Sequence, residues 1–334
     1  MKIGGQYAVL VSGGAGYIGS HTVAELLDAK EDVVILDNLE KGHKKAILGG
    51  KFVQADLRNI DAIRDVFKEN DIEAVIHFAA FIEVGESVQN PLKYYNNNVI
   101  ASLNLLTVMQ QFGVNKLVFS STAATYGIPE NIPIRESDKT NPINPYGETK
   151  LAVEKILKWA DGAYGIKHAV LRYFNACGAH ISGKIGEAHS PESHLIPIIL
   201  QVAQGKREEI KLFGNDYNTP DGTCVRDYIH VSDLAQAHVL ALQNLRKGAD
   251  SNVFNLGNGK GFSNREVVEV ARAVTGKVIK ATDAPRRPGD PDILVASAEK
   301  AINVLGWKPK YNDLNKIIET AWNWHGTHPN GYGD

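Results

Sequence analysis

Residues 7–19 of the chain are Tyr7-Ala8-Val9-Leu10-Val11-Ser12-Gly13-Gly14-Ala15-Gly16-Tyr17-Ile18-Gly19. A short apolar run leads into a turn with four glycines, and an amphipathic stretch over residues 18–30 follows. This order predicts a strand, a glycine-rich turn and a helix whose first N–H groups bind a diphosphate. We therefore predict that a dinucleotide binds at the glycines Gly13, Gly16 and Gly19. A glycine-rich turn without a ligand is the alternative.

The first half of the chain repeats this alternation of strand and helix. The predicted strands cover residues 7–12, 33–37, 51–55, 74–79, 116–121 and 168–174. The predicted helices cover residues 18–30, 60–69, 92–112 and 146–162. Alternation of this kind predicts an α/β fold with a doubly wound parallel sheet of the Rossmann type, which we assign to residues 1–176 as a cofactor domain.

The pattern changes after Cys177. Residues 178–194 have no clear period and predict a long loop or lid, and helices are predicted at 195–204 and 263–276. Residues 177–334 are therefore predicted to form a smaller mixed α/β lobe that binds the substrate.

Composition excludes several classes of protein. The 334 residues include 36 Lys and Arg against 38 Asp and Glu, so a basic nucleic-acid binder is not expected. Two cysteines, Cys177 and Cys224, favour a reducing compartment. No apolar run reaches the roughly 20 residues of a membrane span, and residues 1–5 lack a signal-peptide core. We expect a cytoplasmic protein without nucleic-acid or membrane partners.

Acidic residues follow two of the predicted strands. Asp37 ends the second strand, at the position where a carboxylate accepts hydrogen bonds from an adenosine ribose and repels a 2′-phosphate. This favours NAD over NADP, although Asp37 could also be an ordinary turn residue. Asp56 and Leu57 follow the third strand and are predicted to contact the adenine.

A tyrosine and a lysine are spaced for proton transfer. Among the 12 tyrosines, only Tyr146 has lysine at position +4, in Lys150, so the two side chains share a helix face. A nearby ammonium group would lower the tyrosine pKa from about 10 and make the phenol a usable base. Thr122 lies where the fifth strand ends, facing the ligand crevice, and is predicted to hold a substrate hydroxyl.

The whole chain resembles a known family in eleven motifs. Five lie in the first half: Gly13-x-x-Gly16-x-x-Gly19, Asp37-Asn38-Leu39, His77-Phe78-Ala79-Ala80, Ser120-Ser121-Thr122-Ala123-Ala124-Thr125-Tyr126-Gly127 and Tyr146-x-x-x-Lys150. Six follow: Arg172-Tyr173-Phe174-Asn175, His194-Leu195-Ile196-Pro197, Phe213-Gly214-Asn215-Asp216-Tyr217, Asp221-Gly222-Thr223, Val225-Arg226-Asp227-Tyr228-Ile229-His230-Val231 and Ala284-Pro285-Arg286-Arg287-Pro288-Gly289-Asp290. These motifs resemble the extended short-chain dehydrogenase/reductases, and among them the nucleotide-sugar 4-epimerases.

The resemblance implies an isomerase that interconverts UDP-galactose and UDP-glucose through a transient 4-keto sugar, with their N-acetylated forms as a further candidate pair. Tyr146, Lys150 and Thr122 would be catalytic, and the protein would be a homodimer paired through the helices at 92–112 and 146–162. The implied NAD site comprises Gly13, Gly16, Tyr17, Ile18, Gly19, Asp37, Asn38, Asp56, Leu57, Phe78, Ala79, Ala80, Asn97, Ser120, Lys150 and Tyr173. The implied UDP-hexose site comprises Thr122, Tyr146, Asn175, His194, Leu195, Lys211, Phe213, Arg226, Tyr228, Arg287, Asp290 and Leu294.

Two departures from the family pattern bear on function. Ile82 stands where the family often has a lysine, which implies weaker retention of NAD, and Leu294 stands where some members have a bulky aromatic beside the sugar. His180, His189 and His194 lack metal-ligand spacing, so we expect no metal site. The rival functions are another NAD-dependent nucleotide-sugar enzyme, such as a 4,6-dehydratase or a decarboxylase, and a non-catalytic NAD-sensing protein.

Overall fold

The architecture comes from a computed structural model that describes residues 7–287 and 290–333. Pro288 and Gly289 of the motif at 284–290 lie outside the described residues, as do residues 1–6. The strands are β1 (Ala8–Ser12), β2 (Asp32–Asp37), β3 (Lys51–Gln54), β4 (Ile72–His77), β5 (Lys116–Thr122), β6 (Lys167–Tyr173), β7 (Asn175–Cys177), β8 (Ile210–Phe213), β9 (Val225–His230), β10 (Asn252–Leu256), β11 (Gly261–Ser263), β12 (Ala281–Ala284) and β13 (Ile293–Leu294). The helices are α1 (Tyr17–Asp28), α2 (Ile60–Glu69), α3 (Val84–Gln89), α4 (Pro91–Tyr94), α5 (Ala101–Gln111), α6 (Pro145–Tyr164), α7 (Leu195–Ala203), α8 (Val231–Arg246), α9 (Asn264–Thr275) and α10 (Leu314–Thr327).

A seven-stranded parallel sheet forms the larger layer, in the order β10-β6-β5-β4-β1-β2-β3. The first six strands are those predicted from sequence, with ends that shift by one or two residues. Strand order reverses beside β1, which leaves a crevice between the carboxyl ends of β1 and β4. The doubly wound α/β fold is thereby confirmed.

Helices cover both faces of this sheet. On one face α1 and α8 pack together over a core that includes Val9, Leu26 and Leu242. On the other face α2, α5 and α6 enclose a core that includes Leu105 and Leu157. Side chains on both faces are therefore removed from water, which explains why β1 and β2 are almost continuously apolar.

One predicted helix has an irregular middle. The segment predicted as a helix at 92–112 comprises α4, a π-helical stretch at Tyr95–Ile100, and α5. The wider turn carries Asn97, which lines the large cavity described below. It also carries Asn98, whose side chain donates a hydrogen bond to Thr149 on α6. A period of 3.6 residues cannot reveal such a turn, which is often found at functional sites.

The smaller lobe is mixed, as predicted. Around β9 run β7 and β13 in parallel and β11 in antiparallel orientation, while β8 and β12 form a separate parallel pair. Helices α7, α9 and α10 pack into one apolar core with these strands. The capping box that begins α9, between Ser263 and Glu266, is formed as predicted.

The chain passes between the large sheet and the smaller lobe more than once. Helix α8 and strand β10 follow residue 177, yet they pack against α1 and pair with β6 in the large sheet. The packing unit around the large sheet is thus wider than residues 1–176. Within the described residues, no helix is long and apolar enough to cross a membrane.

Candidate active site

The glycine-rich turn forms a cradle at the end of β1. Gly13 has φ +76°, and a Cβ there would lie 2.5 Å from the backbone nitrogen of Ala79. A Cβ at Gly19 would overlap the carbonyl oxygen of Gly13. Gly16 precedes α1 without a side-chain cap, so the first N–H groups of the helix are left for a ligand. The turn thus has the close backbone approach that a dinucleotide diphosphate requires.

The carboxylate predicted for the ribose lies at the end of β2. Asp37 is buried and accepts hydrogen bonds from the backbone nitrogens of Ala15 at 3.0 Å and Leu39 at 2.9 Å. Burial raises its pKa, and these N–H groups partly oppose that effect. The hydrogen bonds fix the carboxylate beside the glycine-rich turn, where an adenosine ribose would be bound.

Polar contacts join the residues that follow β2 and β3, at the place where the sequence predicts an adenine contact. Asn38 donates to Asp56 Oδ2 at 3.0 Å, and Arg58 donates to the same carboxylate through its guanidinium group and its backbone nitrogen. Hydrogen bonding by Arg58 lowers the pKa of Asp56 to about 2. Asp56 is therefore an anion held at the cavity wall, next to Leu57. Arg58 was missed by the sequence reasoning.

Thr122, Tyr146 and Lys150 meet at the carboxyl end of β5. The Lys150 ammonium group is buried and donates to the carbonyl oxygen of Ser120 at 2.8 Å. Burial lowers the pKa of Lys150 to about 7. Burial also raises the pKa of Tyr146 to about 12, while a hydrogen bond with the Thr122 side chain acts in the opposite direction.

This electrostatic result differs from the expectation that Lys150 lowers the Tyr146 pKa. The Lys150 ammonium group is directed at Ser120, and removal of the Tyr146 phenol from water has the larger effect on its pKa. These surroundings favour the phenol over the phenolate. A cationic group beside Tyr146 would be needed to make it a base.

Three contacts position the start of α6. The Asn144 side chain caps the helix by accepting from Gly147 N at 2.8 Å. A Cβ at Gly147 would lie 2.6 Å from the carbonyl oxygen of Ala124, so glycine allows the close approach that brings Tyr146 to Thr122. Asn98 donates to Thr149 Oγ1 at 3.1 Å from the π-helical stretch. The Asn-Pro pair before Tyr146 was the available sequence signal for this cap.

A buried ion pair anchors the next turn of α6. Glu154 accepts from Arg172 on β6, with Nε–Oε1 and Nη2–Oε2 distances of 3.0 and 2.5 Å, and both side chains are 7% exposed. Ser121 donates to Glu154 Oε1 at 2.5 Å, and Arg172 donates to Tyr126 at 2.9 Å. Sequence reasoning placed Arg172 in a motif but missed Glu154, one turn beyond Lys150.

All of the residues predicted for the catalytic, cofactor and substrate sites line one cavity of about 1310 Å³. A pocket for one drug-sized ligand occupies roughly 300–1,000 Å³, so two nucleotide-sized molecules are accommodated together. Ile82 also lines the cavity and is 38% exposed. With the glycine cradle and the buried Asp37, the lining fits NAD at one end.

The other end of the cavity is lined by arginines from the smaller lobe. Arg226 on β9 is 2.8 Å from Asp290, and the Arg287 guanidinium group lies 4.1 Å from the centre of the Phe213 ring. Leu294 on β13 lies opposite Arg226 in the parallel pairing of β13 with β9. A paired and a stacked guanidinium group can bind a diphosphate with little loss of side-chain freedom.

The segment 178–194 lies along this cavity without helix or strand, in agreement with the predicted loop. Tyr17 donates to the carbonyl oxygen of Gly178 at 2.6 Å, and Lys41 donates to that of Ser190 at 3.1 Å. The loop thereby connects the residues of the glycine-rich turn to His194, which precedes α7.

Known proteins match this chain along nearly its whole length. A sequence model of the NAD dependent epimerase/dehydratase family matches residues 9–257. The UDP-glucose 4-epimerase of Halalkalibacterium halodurans is 59% identical over 97% of both chains. A crystal structure of a UDP-glucose 4-epimerase aligns with a TM-score of 0.96 at 56% identity, over 97% of this chain and 99% of the other.

A further solved structure that resembles this chain is a complex with ligands. The UDP-glucose 4-epimerase of Bifidobacterium longum in complex with NAD⁺ and UDP aligns with a TM-score of 0.92 at 40% identity, covering 97% of this chain and all of the other. Identity of this extent, together with the matched residues 9–257, establishes the relationship. The chain belongs to the NAD dependent epimerase/dehydratase family.

Proposed function

We propose that the protein is an NAD-dependent isomerase that interconverts UDP-galactose and UDP-glucose through a transient 4-keto sugar. The observation that carries this proposal is the position of Thr122, Tyr146 and Lys150. The three meet at the end of β5, between the glycine-rich cradle and the arginines of the smaller lobe. The names of the 59% identical relative and of the aligned structures agree with it.

NAD would be held by the glycine-rich turn, by Asp37 and by the residues at the ends of β3 to β6. When bound, it supplies a hydride acceptor and donor for C4 of the hexose. The Ser120 hydroxyl contacts the Tyr173 hydroxyl, and these side chains, with Lys150, form the wall beneath the reacting centre.

Proton transfer at the hexose O4 belongs to Tyr146 and Thr122. Tyr146 takes the O4 proton during oxidation and returns it during reduction, while Thr122 hydrogen-bonds the same oxygen. Burial lowers the pKa of Lys150 to about 7, so both its charged and its neutral form are accessible near neutral pH. The ammonium group then stabilises the phenolate when substrate and cofactor fill the cavity.

Inversion at C4 requires a firm hold on UDP and a loose hold on the hexose. The keto sugar must turn about its diphosphate so that its opposite face meets the reacting centre. We assign the hold to Arg226 and Arg287, which are fixed by Asp290 and the Phe213 ring. Asn175 lines the same cavity, and its side chain donates to Asp227 O at 2.9 Å.

Dehydration or decarboxylation would need further proton chemistry beyond O4. The positions after Thr122 are Ala123 and Ala124, whose methyl side chains cannot exchange protons. A pure NAD sensor, in turn, has no use for a cavity-lining tyrosine hydrogen-bonded to Thr122. The epimerase is therefore the function that these residues serve.

The test is incubation of the purified protein with UDP-galactose and NAD, without any added acceptor, followed by chromatography of the nucleotide sugars. We expect UDP-glucose as the product, with both sugars present at the end. A 4-keto-6-deoxy product, or unchanged UDP-galactose, would contradict the proposal.

The buried Asp37 should make the protein select NAD over NADP. A 2′-phosphate placed against this carboxylate loses its hydration without gaining a cation, at a cost of several kcal/mol. We expect NADP to bind at least about 100-fold more weakly by calorimetry, equivalent to about 2.7 kcal/mol. Asp37→Ser should narrow that difference, and equal affinities in the unmodified protein would refute the role of Asp37.

Leu294 should set how well N-acetylated sugars are accepted. We propose slower but measurable conversion of the N-acetylhexosamine pair, because leucine leaves more room than tyrosine beside the hexose. A clash in a packed pocket commonly costs ~1–3 kcal/mol. Leu294→Tyr should therefore suppress conversion of the N-acetylated pair and leave UDP-galactose conversion within a few-fold. The readout is the ratio of kcat/KM for the two pairs, and Leu294→Met, of similar volume, is the control. An unchanged ratio in Leu294→Tyr would show that this residue is not the gate.

We also propose a homodimer formed through α6 and the α4–α5 segment. These helices pack against each other, yet Leu92 and Trp159 on them are 80% and 76% exposed. We expect sedimentation to give a dimer at micromolar concentration and Trp159→Asp to weaken it. Val278→Asp, at a 93% exposed position on the smaller lobe, is the matched control. A monomer in the unmodified protein would refute this proposal.

The two parts of the chain have different binding roles in this proposal. Residues 1–176 hold NAD and residues 177–334 hold the UDP-sugar in this proposal, with α8 and β10 completing the large sheet. We place the protein in the cytoplasm, which agrees with two buried, unpaired cysteines, Cys177 and Cys224.

A further inference from the structure

Four potential metal ligands converge in the loop that lies along the cavity. One ligand atom from each of Glu187, His189, Glu192 and His194 lies within 4.8 Å of all the others. Across residues 7–287 and 290–333, this is the one group of three or more such side chains that meets so closely. We call these four residues the loop cluster. The carboxylates of Glu187 and Glu192 are only 4% and 5% exposed.

Three polar atoms of the loop cluster are not satisfied by hydrogen bonds. Glu187 Oε1, His189 Nδ1 and His194 Nδ1 are buried without a hydrogen-bond partner. Yet the two imidazole nitrogens lie only 3.1 and 2.8 Å from that carboxylate oxygen. The three atoms thus lie close together without forming hydrogen bonds to one another. Buried polar atoms left in this state are costly unless an ion binds them.

The separations match those of ligands around one metal ion. Four ligands placed tetrahedrally at roughly 2.0–2.2 Å from a zinc ion lie about 3.3–3.6 Å apart. His189 Nδ1 and His194 Nδ1 lie 3.1 and 2.8 Å from Glu187 Oε1. They lie 3.9 and 3.4 Å from Oε2 and Oε1 of Glu192, respectively, and the four distances bracket the tetrahedral value. Glu192 is also oriented by its own loop, since its Oε1 accepts from the backbone nitrogens of Ser193 and His194. Such outer contacts commonly orient metal ligands.

We propose that Glu187, His189, Glu192 and His194 bind one divalent transition-metal ion, zinc by the chemistry of the ligands. Two neutral imidazoles and two carboxylates carry a charge of −2, which a divalent cation neutralises. The two nitrogen ligands favour zinc over magnesium or calcium, which prefer oxygen alone. All four tetrahedral positions are filled by protein, which makes the site structural rather than catalytic.

The metal ion would fix the loop between the two halves of the cavity. On the cofactor side, the loop is held by Tyr17 through Gly178 and by His43, whose Nε2 lies 2.8 Å from Ala188 O. On the substrate side, His194 directly precedes α7. A bound metal ion joins these contacts into one rigid segment.

This proposal departs from the sequence expectation of no metal. The sequence expectation considered only the histidines His180, His189 and His194, and not the two glutamates of the loop cluster. In the structure, His180 lies apart from the cluster, with its ring centre 6.0 Å from that of His21. The sequence signal was Glu-x-His-x-x-Glu-x-His over residues 187–194.

A proton could hold the cluster together instead of a metal ion. Burial acts to lower the pKa of His194, but Glu187 and Glu192 raise it to about 10. A protonated His194 beside Glu187 would be a buried ion pair, and it would bind no zinc. The bound metal ion and the protonated His194 therefore predict different metal contents for the purified protein.

The experiment measures metal in the full-length protein, purified without chelators and freed of any histidine tag. Mass spectrometry of the digested protein should give about one zinc per chain. After removal of the metal, Zn²⁺ titrated against a chromophoric chelator should bind with a 1:1 stoichiometry and raise the Tm. Because the readouts are metal content and Tm, a failure of the epimerase assay leaves this test intact.

Two histidine variants from the same loop give the comparison. His189→Gln should weaken Zn²⁺ binding more than about 100-fold, beyond what loss of an outer-shell contact costs, and abolish the zinc-induced rise in Tm. His180→Gln should bind zinc as the unmodified protein does. If His189→Gln does not fold, metal removal and readdition on the unmodified chain still decide the question. Absence of zinc binding by the unmodified protein, or equal binding by His189→Gln, would overturn the proposal.

Discussion

Replacing Tyr146 by Phe should lower kcat for UDP-galactose by roughly 10²–10⁴, the contribution of one positioned proton-transfer group. The substitution removes only the hydroxyl that hydrogen-bonds the Thr122 side chain. The ring, the Asn144 cap and the contact at Gly147 all remain, so α6 keeps its position. We expect KM to change little, because the substitution leaves Arg226 and Arg287, the proposed diphosphate ligands, unchanged.

The matched control is Tyr164→Phe, at the last residue of α6. This tyrosine is 63% exposed and remote from the cavity lining, so its loss should leave kcat within two-fold. Circular dichroism and NAD binding establish that each variant is folded. A loss of less than tenfold in Tyr146→Phe would show that another group transfers the proton.

Replacing Arg172 by Met should destabilise the protein by about 3–5 kcal/mol, because Glu154 is left buried without its cation. The two side chains are 7% exposed and share two hydrogen bonds. Arg172 also donates to Tyr126, which in turn donates to Asn255 Oδ1 at 2.7 Å on β10. Urea denaturation gives the free energy of unfolding.

The double variant Arg172→Met/Glu154→Leu separates charge from packing. Replacing both members of a buried ion pair by apolar groups of similar size is often neutral. We therefore expect the double variant to recover most of the stability lost in Arg172→Met. If it is as unstable as the single variant, loss of packing rather than the unpaired Glu154 carboxylate explains the effect.

Local patterns carried most of the prediction. The strand before Gly13, the spacing of Tyr146 and Lys150 and the Asp at the end of β2 are all short-range signals, and the structure brings these residues to one cavity. A short segment suffices because parallel strands end at the same edge of the sheet.

Features that depend on distant residues were missed. The Glu154–Arg172 pair is completed by Tyr126 and Asn255, which are 129 positions apart, and no local period reveals such a set. Strand β10 joins β6 from across the second lobe for the same reason. The pKa of Tyr146 was misjudged because burial, which dominates it, cannot be read from a Tyr–Lys spacing.

The central claim is that this cavity inverts C4 of a UDP-hexose by reversible oxidation at that carbon. The most direct test is proton NMR of UDP-galactose incubated in heavy water with the protein and NAD. We expect UDP-glucose to form with protium fully retained at C4. The hydrogen that leaves C4 as a hydride returns to C4 without exchanging with water. Deuterium at C4 in the product, or no UDP-glucose at all, would contradict the account.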